Sequence, residues 1–290
     1  MTFSIVARSD DGNYFGVAVA SKFLAVGAAV PAARAGVGAL ATQAYANLTY
    51  RPAGLGLLAA GLSAVDVVGQ LTGPDPEAGQ RQLGVVGTEG DGATFTGAAC
   101  HPWAGGLAGA GYAIQGNILT GSDVVQAMER AWTSSAPELP LATRLLGALA
   151  AGDEAGGDRR GRQSAALLVV TPGGGYGGGS DVLMDLRVDD HPAPVPELAR
   201  LARLHELYFG RARQQDLLVL QGALGEEVAA LLVQAGYPPE RAQPEHDGTE
   251  ALDRALAAWA GVENLEERLV PGHLDPLVLE VLRQTRAKGS

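Results

Sequence analysis

Thr2 follows directly behind Met1, and a methionine before a small residue is normally trimmed. The threonine then carries a free α-amine beside its own hydroxyl. With a reference pKa of about 7.7–8.0, that amine can take the hydroxyl proton near neutral pH while the oxygen attacks a carbonyl carbon. Taken alone, Thr2 reads as an incidental N-terminus, since the same trimming exposes a second-position threonine in many cytosolic proteins. Ser21 and Lys22 end an apolar stretch in a region almost empty of charge. A lysine ammonium near the α-amine would lower the amine's pKa by like-charge repulsion. Lys22 also fits a solvated strand end, and Ser21 either donates a hydrogen bond there or sits in a turn.

Amides and hydroxyls close the next apolar stretch in Ala41-Thr42-Gln43-Ala44-Tyr45-Ala46-Asn47, and recur in Gln115-Gly116-Asn117. Such groups suit an amide or an oxyanion, with Gln43, Asn47, Gln115 and Asn117 as candidate substrate contacts. The same residues also fit a strand leaving its sheet, or a glycine bulge. The densest polar cluster is Gly157 to Ser164, where Asp158, Arg159, Arg160 and Arg162 either bind an anionic substrate or pair among themselves in an exposed loop. Cys100 and His101 are adjacent, so in extended chain they point to opposite faces, and Cys100 reads as a buried small apolar residue. The histidines are scattered without ligand spacing and only one cysteine is present. No metal site or cofactor is expected. The glycine run Gly173 to Gly179 lacks the lysine of a phosphate-binding loop.

Strand patterns are read at Thr2 to Arg8, Tyr14 to Ala20, Ala25 to Val30, Val37 to Ala44, Gln82 to Val86, Ala93 to Thr96, Tyr112 to Leu119, Ser164 to Thr171 and Val182 to Val188. Pro31 to Gly36 reads as a turn. Helical spacing joins Leu55, Leu58 and Leu62, restarts behind Ser63 as an N-cap, and recurs from Ser122 to Trp132 and from Leu141 to Ala151. This order of strands and helix pairs predicts stacked sheets covered by helices. Asp189 to Pro196 reads as a linker. Beyond it Leu198 to Phe209, Glu226 to Ala235, Leu252 to Ala260 and Pro276 to Gln284 predict a small all-helical module.

With 290 residues there is room for two cores. A net charge of −11 argues against a nucleic-acid partner, and no apolar run is long enough for a membrane span. Without a secretory leader pattern, and with a lone cysteine, a cytoplasmic, reducing location is expected.

Met1 to Arg8, Gly16 to Lys22, Ala41-Thr42-Gln43-Ala44 with Asn47, Gly97 to Cys100, Gln115-Gly116-Asn117, Gly157 to Ser164 and Asp185 to Pro192 occur together in this order. That series resembles the family catalogued as domain of unknown function one thousand and twenty-eight, over about Thr2 to Phe209. The family is placed among the N-terminal nucleophile (Ntn) hydrolases. The resemblance implies an α+β, four-layer αββα sandwich over 1–209, with Thr2 as nucleophile, Lys22 as tuning cation and Ser21 beside them. Residues 210–290 are similar to a helical module described for peptidoglycan binding. The expectation is cleavage of a C–N bond in a small, anionic metabolite by a homo-oligomer. Its alternatives are a metabolite-binding protein on the same scaffold and an oligomeric interaction protein.

Overall fold

A computed structural model describes residues 2–240 and 248–285, apart from the side chains of 248 and 249. It divides into two compact units, Met1–Ala202 and Arg203–Ser290.

The first unit opens with β1 (Thr2–Arg8) and β2 (Phe15–Ser21), then the short α1 (Val26–Ala29), β3 (Pro31–Arg34) and β4 (Gly38–Ala44). A helix pair, α2 (Tyr50–Ala59) and α3 (Ala64–Thr72), leads to β5 (Arg81–Gly87), β6 (Ala93–Thr96), β7 (Gly105–Gly109) and β8 (Tyr112–Asn117). A second pair, α4 (Asp123–Ser134) and α5 (Leu141–Glu154), precedes β9 (Ser164–Val170), β10 (Val182–Val188) and α6 (Pro194–Phe209).

Two antiparallel sheets result, ordered β10-β9-β2-β1-β8-β7 and β3-β4-β5-β6. Side-chain alternation gives each strand two apolar faces and so builds three cores. Phe3, Ile5, Ala18, Ile114 and Leu167 pack under α4 and α5 through Met128, Leu145 and Leu149. Val6, Val17, Val19, Ala39, Ala41, Val86 and Ala113 fill the space between the sheets. Leu40, Leu83 and Val85 pack under α2 and α3 through Leu55, Val67 and Leu71. The layers are therefore helix, sheet, sheet, helix. Ser63 caps α3 as expected, its hydroxyl accepting the Asp66 amide at 3.2 Å.

Several expectations are corrected. The apolar run from Ala25 to Val30 holds a helix, not a strand. Gly27 lies so close to β9 that a Cβ there would sit 2.6 Å from the Ala166 Cβ, and apolarity alone cannot separate the two states. The expected turn from Pro31 contains β3, whose proline is tolerated because the strand is first in an edge position. Strand β7, Gly-Gly-Leu-Ala-Gly, has no strand composition and is held by its ladder to β8. The linker read up to Pro196 ends at Pro194, where α6 begins, since proline is accommodated in a first helical turn.

In the second unit, α7 (Gly222–Ala235), α8 (Gly248–Glu263) and α9 (Pro276–Gln284) enclose a core around Leu232, Leu256, Trp259 and Val278. It is not purely helical: β11 (Leu218–Val219) pairs with β12 (His273–Leu274), a ladder too short to leave a periodic signal. Arg268, 3% exposed, ties the module together. Its Nη1 donates to Asp275 at 2.7 Å and its Nε to the Leu207 carbonyl at 2.7 Å, while Asp275 also caps α9. No described helix is long and apolar enough to cross a membrane.

Arg268→Ala leaves the Asp275 carboxylate buried without its cation, and should cost about 3–5 kcal/mol of the module's stability, read by urea unfolding followed through Trp259 fluorescence. Gly38→Ala should cost about 1–3 kcal/mol, because a Cβ there would meet the Val86 carbonyl oxygen at 2.4 Å. At Gly56, exposed in α2 with nothing within 4 Å of the added carbon, the same change should stabilise by about 0.5–1 kcal/mol. Equal effects at the two glycines in thermal melts would contradict the packing assigned to Gly38.

Candidate functional site

In β1, Phe3, Ile5 and Ala7 turn to the helices, so Thr2, Ser4 and Val6 face the opposite sheet. Antiparallel pairing sets Asn117 opposite Thr2 and Ser164 opposite Ser21, and the Thr2 and Ser21 hydroxyls lie 3.1 Å apart. One rung across β8, β1, β2 and β9 is thus entirely polar. The next contributes Ser4 and Gln115. Gln43, Gln82 and Thr96 form a matching rung across β4, β5 and β6. Behind them the inter-sheet space is apolar, so all this polarity sits at one end of the sandwich.

These groups are buried and bond one another. Gln82 donates through Nε2 to the Gly116 carbonyl at 2.7 Å, to Thr96 Oγ1 at 2.9 Å and to the Gly105 carbonyl at 3.3 Å. Its Oε1 accepts Gln43 Nε2 at 2.8 Å and Asn117 Nδ2 at 2.9 Å. Gln43 Nε2 also reaches the carbonyls of Thr2 and Gln115, both at 3.3 Å, and its Oε1 accepts the Ser4 hydroxyl at 2.7 Å. Gln115 donates to Ser4 Oγ at 2.6 Å. Its own Oε1 has no partner among the described residues and presses on Gly84, where an added Cβ would lie 2.1 Å away.

A cavity of about 420 Å³ opens on this end. Thr2, Gln43 and Asn117 meet it from the sheets, Arg160, Cys100 and His101 from loops, and Phe23, Val26, Val30 and Ile118 give it apolar walls. Two of its lining residues, Ala44 at φ 67° and Ile118 at φ 50°, hold left-handed backbone that carries a steric cost without glycine. They are the residues just beyond or at the ends of β4 and β8. Burial pushes the Cys100 thiol's pKa up, and its Sγ donates to the Arg81 carbonyl at 3.3 Å.

The predicted residues divide. Thr2, Gln43, Asn117 and Arg160 come together at the cavity, with Ser21 in contact behind Thr2. Gln115 lies one rung deeper, within the network. Lys22 is exposed and absent from the cavity's lining, with Nζ on the Arg162 carbonyl at 3.3 Å. Asn47 is occupied elsewhere: its Nδ2 donates to Asp75 at 3.3 Å and its Oδ1 accepts the Thr49 hydroxyl at 2.7 Å. The Asp75 carboxylate is held well below the usual range by the Tyr50 hydroxyl at 2.7 Å, then by Arg81 at 3.0 Å, which secures the chain after β4.

The arginine cluster is likewise split. Asp158 accepts the Lys22 backbone amide at 2.7 Å and the Arg160 guanidinium at 3.3 Å. Arg162 pairs with Asp153 at 2.7 Å beside a separate cavity of about 220 Å³. Arg159 is exposed, its backbone amide on the Ile118 carbonyl at 3.3 Å. Cys100 is half-buried at the cavity with His101, against the expectation of a buried apolar residue on another face, because a turn and not extended chain carries the pair. Gln82 escaped the sequence reading, although a lone amide directly ahead of the apolar run Leu83 to Val86 in β5 was its signal.

No curated protein matches the chain. A model described as "Putative peptidoglycan binding domain" matches residues 208–282. Among solved structures, it is similar to the crystal structure of protein SPO2555 from Silicibacter pomeroyi, with 28% identity and a TM-score of 0.63 over 78% of this chain and 92% of that one. That protein carries the same family model, described as "Family of unknown function (DUF1028)", that matches residues 2–198 here. Both large sheets and the cavity between their ends fall inside that match, and the chain belongs to the DUF1028 family.

Proposed function

We propose that this protein is an amide hydrolase of the Ntn type, with Thr2 as its nucleophile. The observation that carries the reading is the position of Thr2: a hydroxyl at the wall of the cavity, held from behind by Ser21 at 3.1 Å and flanked by Gln43 and Asn117. Cys100, the other nucleophilic type there, is the weaker candidate because its raised pKa keeps it as the thiol. Trimming of Met1, which lies outside the described residues, would free the α-amine.

In this mechanism Thr2 Oγ1 attacks the substrate carbonyl carbon and its proton passes to the α-amine. The C–N bond then breaks, and the departing nitrogen takes that proton. Water adds to the resulting ester with the amine again as base, which releases the acid and restores Thr2. Arg160, the one arginine among the described residues that reaches the cavity wall, supplies the positive charge for an anionic substrate, and its bond to Asp158 sets its position. Ser21 is the hydroxyl's neighbour, whereas the Lys22 ammonium is directed to Arg162.

Thr2→Ala should lower hydrolysis of small amides by several orders of magnitude while Thr2→Ser keeps measurable turnover, because serine retains both nucleophile and base. Intact mass before each assay reports whether Met1 is gone. Full activity in a trimmed Thr2→Ala protein moves the nucleophile elsewhere. Uniform retention of Met1 favours instead a binding protein that uses Arg160 to hold an anion.

A further inference from the structure

A carboxamide has a donor end and an acceptor end, and burial leaves neither free to choose its partner. The polarity of the inter-sheet network is set at Gln82. Two backbone carbonyls, Gly116 at 2.7 Å and Gly105 at 3.3 Å, face one end of its side chain. Carbonyls only accept, so that end is the nitrogen. The opposite end is therefore an oxygen, which can only receive hydrogen bonds from Gln43 at 2.8 Å and Asn117 at 2.9 Å. Both neighbours must turn their nitrogens to it. For Gln43 this fits the rest of its surroundings, since its nitrogen also meets two carbonyls and its oxygen the Ser4 hydroxyl.

For Asn117 the consequence is different. One of its two N–H groups is committed to Gln82, which fixes the orientation of the amide and makes its carbonyl oxygen the acceptor it can offer to the cavity that it lines beside Thr2. Asn117 is 2% exposed, yet no hydrogen bond reaches Oδ1 among the described residues, and that atom is not enclosed as Gln115 Oε1 is. An oxygen cannot stabilise a developing oxyanion. It can only accept.

We propose that Asn117 Oδ1 accepts a hydrogen bond from an N–H of the bound molecule, which makes the cavity selective for carboxamides bearing an N–H over esters of the same shape. Gln82, which does not line the cavity, is the residue that fixes this polarity. The proposal deepens the amide-hydrolase reading and rests on it only in taking this cavity as the ligand site.

The test uses the full chain with Thr2→Ala, so that no turnover is involved, and compares N-methylbenzamide with methyl benzoate, which differ by N–H against O and suit the apolar walls. Ligand-observed NMR titration should show the amide binding about tenfold more tightly, since the ester leaves Oδ1 unpaired and sets an oxygen against it. Adding Asn117→Ala should bring the ratio to about one. N,N-dimethylbenzamide, which keeps the carbonyl and the nitrogen but has no N–H, should bind the protein that retains Asn117 as weakly as the ester does, and this comparison serves if the alanine variant does not fold. Equal binding of the two probes, no binding of the amide, or a preference unchanged in Asn117→Ala overturns the proposal. Loss of the Thr2 mechanism would show instead in the hydrolysis assays and leave these affinities unaltered.

Discussion

Hydrogen bonding among buried amides is the constraint on which this architecture turns. Two sheets with apolar inner faces could close completely, as they do around Val6, Val17 and Val86. At one end they carry Thr2, Ser4, Gln43, Gln82, Gln115 and Asn117 instead, all at most 6% exposed. Each such group would oppose folding if left unpaired, by about 1–3 kcal/mol. Pairing across the gap between the sheets removes that cost for all but Gln115 Oε1 and Asn117 Oδ1, and also fixes the separation and register of the two layers. The polar end is therefore a structural clamp as well as the wall of a cavity.

That double role explains where conformational strain is found. Ala44 and Ile118 leave the ends of β4 and β8 through left-handed backbone, a conformation especially costly for a β-branched residue. The ladders and the Gln82 network hold the strands up to these points, and both residues line the cavity. Strain of this kind persists where surrounding contacts over-determine it. The loop after β4 has its own anchor in the Asp75 carboxylate, bonded by Tyr50, Arg81 and Asn47.

Much of the layered fold was legible because the central strands read as continuous apolar runs between turn residues and the 3.6-residue period survives in the helix pairs, with Ser63 marking a helix start by its own chemistry. Short and edge elements were not. Glycine-rich β7 and proline-led β3 owe their states to ladders with the strands that follow them, and the helical turn at Val26–Ala29 to its packing on β9, far along the chain. At the site, Thr2, Gln43, Asn117 and Arg160 were visible as residue types, and the structure places them together. Asn47, Arg159 and Arg162 have the same chemistry but face other partners, and only tertiary placement separates them. Gln82 was hidden because its importance lies in two contacts with other sheet-end amides, which a strand's own pattern cannot show.

The position of β1 also imposes an order in time. It is central in its sheet, between β2 and β8, and β2 in turn lies against β9. During synthesis the hairpin of β1 and β2 can close early, but the strand opposite Thr2 on its other side is not made until residues 112–117. Loop closure over such separations is slow relative to local pairing. Thr2 therefore stays accessible on the ribosome through the emergence of more than a third of the protein, and becomes buried once β8 docks. The wall of the cavity that Thr2 forms with Asn117 is thus finished only after the strand that carries Asn117 has left the ribosome.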